Sequence, residues 1–344
     1  MPANVLVAMS GGVDSTVAAW LLQQQGYDCV GATMVLYNEA NDGRVEDARA
    51  VAAKLNIPFH VFDLREDFQA EVISRFVTAY QAGATPNPCI ECNRRMKFGR
   101  LMDLGTLLGC EFIASGHYAR IEKTDDRYLL RKGADLSKDQ SYVLAFLTQP
   151  QLARIKLPLG AMTKDEIRQL AHQQGFVNSA KKESQDICFV PDGDYAKIIK
   201  EQSNLPDQPG DFVDLQGRLL GKHQGLIHYT IGQRRGLGLA MPEPVYVVAK
   251  QPHNNTVIIG SEQDLYTKQL DADDFNWIAY DQPPQELRVK AKIRYGQTEQ
   301  WATVHPNGAD AIHLTFDEPQ RAIARGQAVV LYEGDFVVGG GTIQ

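Results

Sequence analysis

Two kinds of reactive residue mark this sequence: a serine–glycine string near its start, and cysteines in two separate settings. The string is Met9-Ser10-Gly11-Gly12-Val13-Asp14-Ser15. It follows the apolar run Val5-Leu6-Val7-Ala8 and precedes a helical pattern from Thr16 to Gln25. A strand, a glycine turn and a helix start bring backbone N–H groups and the positive end of a helix to one point, where a phosphate can bind. Gly11 and Gly12 allow a tight turn and close approach to a ligand, and Ser10 and Ser15 add hydroxyl donors. No Gly-Lys-Ser/Thr follows, so the ordinary P-loop pattern is absent. The competing reading is an N-cap turn with no ligand; the complete Ser-Gly-Gly-Val-Asp-Ser string directly after an N-terminal strand favours phosphate. Asp14 would then stand among phosphates, where a bare carboxylate is repelled unless Mg²⁺ lies between.

The chain has five cysteines, an odd and low count that favours reactive, metal-binding or buried thiols over structural disulfides. Cys89 and Cys92 lie in Thr85-Pro86-Asn87-Pro88-Cys89-Ile90-Glu91-Cys92-Asn93, where two prolines predict a shaped, irregular loop. Arg94, Arg95, Lys97 and Arg100 follow, and cations beside a thiol lower its pKa. The Cys-x-x-Cys pair lacks the second pair of an ordinary zinc site. Cys29 and Cys110 adjoin apolar strand patterns and read as inert buried thiols. Cys188 sits in Glu183-Ser184-Gln185-Asp186-Ile187-Cys188-Phe189-Val190, before a Pro-Asp-Gly turn. Alone it reads equally as a buried strand cysteine; with the Cys89/Cys92 loop it becomes a candidate partner thiol.

These residues need a frame. Strand and helix patterns alternate over residues 1–120: Cys29–Leu36, Phe59–Phe62 and Glu111–Ser115 read as strands, with Ala48, Val51, Ala52, Leu55 and then Phe68, Val72, Phe76, Tyr80 at helical spacing. That alternation predicts an α/β fold with a doubly wound parallel sheet, whose ligands sit beyond the carboxyl ends of the strands. Ser10, Met34 and Gly116 all fall at such ends. Thr163-Lys164-Asp165-Glu166 is a capping box. From about residue 200 the texture turns to short strands and hairpin signals, at Leu215-Gln216-Gly217-Arg218, Lys250 to Thr256 and Asn307-Gly308. The expected organisation is a catalytic domain over 1–199, a small mostly-β central domain over 200–262 and a C-terminal β-barrel over 263–344. A net charge of −7 argues against a protein that coats nucleic acid indiscriminately. With no signal peptide or apolar run of membrane length, a cytoplasmic protein without a membrane partner is expected.

Ser10–Ser15 resembles the PP-loop of ATP pyrophosphatases, whose fold is adenine nucleotide α-hydrolase-like. With Asn87-Pro88-x-x-x-Cys92-Asn93, Gly116-His117-Tyr118-Ala119, Lys138-Asp139-Gln140-Ser141-Tyr142, Ile187-Cys188-Phe189 and Tyr229 to Gly238, it resembles the bacterial tRNA-specific 2-thiouridylases, in order and over nearly the whole chain. The resemblance implies ATP-dependent 2-thiolation of a tRNA wobble uridine. ATP would lie against Ala8, Met9, Ser10, Gly11, Gly12, Val13, Asp14, Ser15, Met34 and Gly116, with Mg²⁺, and adenylate the uracil 2-oxygen. A persulfide on Cys188 would deliver sulfur, with Cys92 as the second thiol, releasing the sulfur or closing a disulfide. Asn87, Pro88 and Cys89 would receive the target base, with His117, Lys138, Asp139, Gln140, Arg294, Tyr295 and Gln327 touching tRNA. Many family members carry aspartate at the position of Cys89. Members with cysteine there imply an alternative in which Cys89, Cys92 and Cys188 ligate an iron–sulfur cluster. A sulfur-donor protein is an implied partner, and a monomer can hold every part.

The RNA side has a signal of its own. Arg288, Lys290, Lys292 and Arg294 recur with period two and should share one strand face, with Val289, Ala291, Ile293 and Tyr295 on the other. Arg234 and Arg235 lie in a glycine-rich turn and support phosphate contact; a solvated barrel face is the bland alternative. Two further functions compete. A PP-loop ligase or amidotransferase acting on a small molecule has no use for paired cysteines, and a non-catalytic RNA-binding protein leaves the serine–glycine loop unexplained.

Overall fold

The computed structural model describes residues 2–37, 43–177, 187–190, 192–203 and 206–344. Most of the polar loop 37–44, the Glu183–Asp186 part of the Cys188 string, Pro191 of the following turn and Asn204-Leu205 lie outside the described residues.

The strands in chain order begin with β1 (Asn4–Ala8), β2 (Asp28–Val35), β3 (Phe59–Asp63) and β4 (Phe112–Ala114). A hairpin, β5 (Ala119–Lys123) and β6 (Tyr128–Lys132), precedes β7 (Ile155–Lys156). The first sheet has the order β3-β2-β1-β4-β7, and its pairings are all parallel. Leu6 and Val7 of β1 are fully buried, as expected of a central parallel strand covered on both faces. Helix α1 (Val13–Gln24) turns Val17, Ala18, Ala19 and Leu22 inward, and α2 (Arg44–Leu55) buries Ala48, Val51 and Ala52. The predicted helix carrying Phe68 to Tyr80 is present, but its Gln69–Ile73 stretch is wound as a π-helix.

A four-stranded sheet follows, with β8 (Gly210–Val213), β9 (Leu219–His223), β10 (Tyr246–Gln251) and β11 (Thr256–Gly260) in the order β10-β11-β8-β9. Its two hairpin turns fall at the expected Gln216-Gly217 and Asn254-Asn255. The last part comprises β12 (Tyr266–Trp277), β13 (Leu287–Lys292), β14 (Gln300–Pro306), β15 (Ile312–Arg321), β16 (Ala328–Glu333) and β17 (Phe336–Ile343). These run β12-β15-β14-β13-β16-β17, and pairing of β12 with β17 closes the barrel.

The architecture is thus the expected doubly wound parallel sheet, a small β unit and a β-barrel. One connection was not foreseen. The β5–β6 hairpin leaves the parallel sheet and adds to the barrel, Phe336 of β17 pairing with Arg131 of β6. Asp335 accepts from Arg120 (2.8 Å) and Arg131 (2.9 Å) along this seam. A continuous apolar cluster backs it, joining Leu6 and Ile113 to Tyr142, Val330, Tyr332 and Val337.

Candidate active site

The β1–α1 loop is shaped by its small residues. Gly11 has φ +71°, and a Cβ there would come within 2.5 Å of the Arg44 carbonyl oxygen, so glycine is required twice over. Ser15 Oγ donates to the Gly12 carbonyl (3.1 Å) and accepts from the Ser10 N–H (3.2 Å). Gly12 is the N-cap of α1 and brings no side chain to cap it. The first-turn N–H groups are therefore left to an external acceptor, the arrangement that binds anions. Gly116, just beyond β4, packs on this loop: a Cβ there would fall 2.8 Å from the Asp14 carbonyl carbon. Thr33 Oγ1 donates to the Met9 carbonyl (2.6 Å) and ties the end of β2, with Met34, to the same place. The carboxyl ends of three strands converge as expected. Met9 and Val13 turn their side chains into the core, so they offer a ligand only backbone, and Ala8 is partly buried.

Asp14 carries a feature that motif reading missed. Its carboxylate accepts from Lys164 Nζ at 2.7 and 2.8 Å and from the Tyr118 hydroxyl at 2.7 Å. Lys164 opens the Lys164–Gln173 helix behind the predicted Thr163/Glu166 capping box and is only 6% exposed. The capping box located the helix start; nothing in the spacing pointed to a carboxylate 150 residues earlier.

The cysteine segment corrects one expectation. Residues 85–93 are not an irregular loop throughout. Asn87 caps a short helix, Pro88–Glu91, its side chain accepting the Cys89 N–H (3.1 Å), and Pro88 stands at the first helical position, where its missing N–H costs nothing. The chain continues as a π-helix, Cys92–Arg100. Half-buried Cys92 packs on an apolar cluster that also holds Phe189, Val190 and Ile187. Phe189 is the anchor, 1% exposed, with its ring 5.3 Å from Phe76 and 5.7 Å from Phe68. This shared cluster brings the Cys188 segment to the Cys92 helix, while Cys188 itself is exposed.

A second correction is electrostatic. The basic run does not lower the Cys89 thiol below its ordinary pKa. Arg94 pairs with Asp274 (3.1 Å for the longer contact), Arg95 with Glu91 (2.6 Å) and Glu71 (3.4 Å), and Arg100 with Asp67 (3.3 Å). Among the described residues, Lys97 alone of the four lacks an ion pair. The Cys89 thiol is pushed up from its ordinary pKa by the protein atoms around it, and Lys97 only opposes this. Cys89 is nonetheless exposed by surface area. Cys29 and Cys110 are buried as expected, and burial drives Cys29 up to about 11.

His117 is buried, with Nδ1 2.7 Å from Ser115 Oγ and its ring 5.8 Å from Phe98. Burial, then the charge of Lys97, holds its pKa well below the ordinary histidine value, so the imidazole is neutral. Asp139 accepts from the Gly133 N–H (3.0 Å) and from Ser141, and Gln140 Oε1 accepts the Tyr118 N–H (2.9 Å), so both side chains are engaged within the fold. Lys138 is half-buried beside them in the same turn. Gln327 Nε2 donates to the Thr85 carbonyl (2.7 Å), at the start of the Cys89 segment. On β13 the alternation holds for Arg288, Lys290 and Lys292, with Val289 and Ala291 buried opposite. The strand ends at Lys292, so Arg294 lies beyond it and donates to the Ala322 carbonyl, and Tyr295 is 45% exposed rather than on the inner face. No three His, Cys, Asp or Glu side chains converge as a metal-ligand set among the described residues.

Family models match three consecutive stretches: a tRNA methyl transferase HUP domain over residues 3–192, a tRNA methyl transferase PRC-barrel domain over 200–261 and an aminomethyltransferase beta-barrel domain over 267–343. The chain is 47% identical over 356 residues to the tRNA-specific 2-thiouridylase MnmA of Clostridioides difficile (strain 630), covering 100% of this chain and 99% of that protein. It is 49% identical to the protein of the same name from Moorella thermoacetica, covering 98% and 99%. Among solved structures, a 4-thiouridine synthetase–RNA complex with bound ATP matches with a TM-score of 0.38 and 16% identity, over 58% of this chain and 50% of that one. The NMN synthetase from Francisella tularensis matches with a TM-score of 0.35 and 17% identity, over 60% and 79%.

Proposed function

The chain belongs to the tRNA-specific 2-thiouridylase family, and from that premise we propose that it carries out ATP-dependent 2-thiolation of the wobble uridine of tRNA. The observation that carries the reading is the pairing of two sites. An uncapped helix start with a glycine loop faces the carboxyl ends of the sheet, and Cys92 shares an apolar cluster with the Cys188 segment. The first supports phosphate binding and the second supports transfer between thiols. The domain descriptions speak of methyl transfer and the relatives' names of thiolation; the thiol pair favours the latter.

In the proposed reaction the uracil 2-oxygen attacks the α-phosphorus of ATP and pyrophosphate leaves. Oxygen bound to carbon is a poor leaving group; AMP is a good one. The terminal sulfur of a persulfide on Cys188 attacks C2 and AMP departs. The Cys92 thiolate then attacks Cys188 Sγ, breaking the persulfide S–S bond; the transferred sulfur stays on C2 and the two cysteines are joined. Exposed Cys188 is open to a sulfur-donor protein. Ser10–Ser15, Met34 and Gly116 would hold ATP. Asn87, Pro88 and Cys89 would receive the base. His117, Lys138, Asp139, Gln140, Arg294, Tyr295 and Gln327 would serve the tRNA side, some by direct contact and some by fixing the loops that make it. Both Asp14 oxygens accept from Lys164 and one from Tyr118, yet its side chain stays 29% exposed, so Asp14 would be the residue to hold Mg²⁺ beside phosphate oxygens, and the ion would supply further charge neutralisation there. In the alternative reading Cys89, Cys92 and Cys188 would hold an iron–sulfur cluster that carries the sulfur; no step is assigned to it. We further propose that the units 1–199, 200–262 and 263–344 act together in a cytoplasmic monomer. No helix among the described residues is long and apolar enough to cross a membrane.

The test is pyrophosphate release and 2-thiolation assayed on wobble-uridine tRNA. Cys92→Ser and Cys188→Ser should each abolish thiolation and keep tRNA-dependent pyrophosphate release. Thiolation that survives Cys188→Ser overturns the mechanism. A small-molecule ligase would release pyrophosphate with no need of tRNA.

A further inference from the structure

The β1–α1 loop has no lysine of its own, yet a lysine reaches it from the far end of the domain. Lys164 Nζ stands 2.7 and 2.8 Å from the two oxygens of Asp14, and Asp14 is the second residue of α1. We propose that Lys164 is a positioning residue of the nucleotide site: it neutralises and fixes Asp14, so that a polyphosphate can approach the start of α1. This rests on reading Ser10–Ser15 as the ATP loop.

The geometry argues for it in three ways. First, Lys164 is held at both ends. Its N–H donates to Asp135 Oδ2 (3.1 Å), the capping box fixes its helix start, and its side chain is 7% exposed. Second, Asp14 is gripped on one side only. The Tyr118 hydroxyl shares Oδ1 with Lys164, while the Asp14 side chain remains 29% exposed. Third, Tyr118 is itself fixed, its N–H donating to Gln140 Oε1 (2.9 Å) and its carbonyl accepting the Gln140 N–H (2.9 Å). An unneutralised carboxylate one turn from a bound phosphate would oppose binding by roughly tenfold or more, even at a high effective dielectric. A lysine in contact with that carboxylate cancels the repulsion before any metal arrives.

The experiment measures ATP binding to the full chain in EDTA, so that metal makes no contribution. Lys164→Met should weaken ATP binding by about tenfold, and the charge-balanced double variant Asp14→Asn/Lys164→Met should return to within about threefold of the unaltered protein. Asp14→Asn alone, which leaves Lys164 uncompensated, should bind ATP at least as tightly as the unaltered protein. Thermal melts confirm folding, and if Lys164→Met does not fold, Asp14→Asn alone decides the matter. The proposal is overturned if Lys164→Met binds normally, if the double variant stays as weak as Lys164→Met (Lys164 then grips phosphate directly), or if Asp14→Asn weakens metal-free binding. Failure of the unaltered protein to bind ATP would overturn the site assignment itself and this proposal with it.

Discussion

At the scale of single residues, the chemistry depends on which charges are cancelled. Arg94, Arg95 and Arg100 are each spent on a carboxylate, which leaves Lys97 to act on Cys89 and His117. Burial first, and then the charge of Lys97, keeps His117 neutral in the fold. Below its ordinary pKa of 6.5 the unfolded chain takes up a proton that the folded imidazole refuses. That share of stability is complete above pH 6.5 and is lost as the pH falls. His117→Gln should therefore flatten the fall of the melting temperature as the pH drops below 6.5; an unchanged slope would refute it. In Lys97→Met the His117 titration, followed by NMR, should move upward. The serine–glycine string and Cys188 could be read from sequence because their neighbours in the chain define them. The ion pairs could not. Arg94–Asp274 and Lys164–Asp14 span 180 and 150 residues, and such pairing leaves no periodic trace.

At the scale of elements, two short segments set the thiol geometry. Asn87 starts the helix that bears Cys89, and Phe189 pins the segment that bears Cys188. Loss of an N-cap side chain costs about 1 kcal/mol, and truncation of a buried phenylalanine about 3–5 kcal/mol. Asn87→Ala should thus melt a few degrees lower and lose thiolation more than it loses tRNA-independent ATP binding, because the nucleotide loop lies on other elements. Equal losses in the two assays would show that the cap serves overall stability alone. Strands and long helices were legible here, since burial of β1 and the inward face of α2 follow from apolar spacing. The Pro88 helix was not. Two prolines read as a loop, and only the Asn87 cap converts the second into a helix start.

At the scale of the whole molecule, the barrel reaches across to the cysteine segment. The Thr85 N–H donates to the Arg325 carbonyl (2.8 Å), Gln327 returns a bond to Thr85, and Arg94 beyond Cys92 is paired with Asp274 of β12. The basic face of β13 lies on this same barrel, with Arg288 and Lys290 over the exposed ring of Trp301 (5.1 and 5.4 Å). Arg288 is already paired with Asp317, whereas Lys290 and Lys292 make no ion pair among the described residues, Lys292 lying half-buried in the field of Asp139 and Glu299. Lys290→Gln/Lys292→Gln should weaken tRNA binding and reduce its log–log salt slope by about 1–2, whereas Arg288→Gln should change the slope less. A slope unaffected by either would make the face a solvated one. That the chain ends in a barrel was readable from its hairpin signals. That the barrel would adopt a hairpin from the first domain was not, because nothing in the spacing of β5 or β6 points to a strand about 200 residues later.

That adopted hairpin has a consequence during synthesis. β6 meets its partner only when Phe336 has been made, about 200 residues after Lys132. At roughly 5–20 residues per second the ribosome leaves the β6 edge open for about 10–40 s. An open strand edge is a template for pairing with other chains. Nascent chains stalled or truncated before Asp335 should therefore be the species that aggregates or occupies chaperones. The completed seam, in turn, marks a molecule whose β17 has been made.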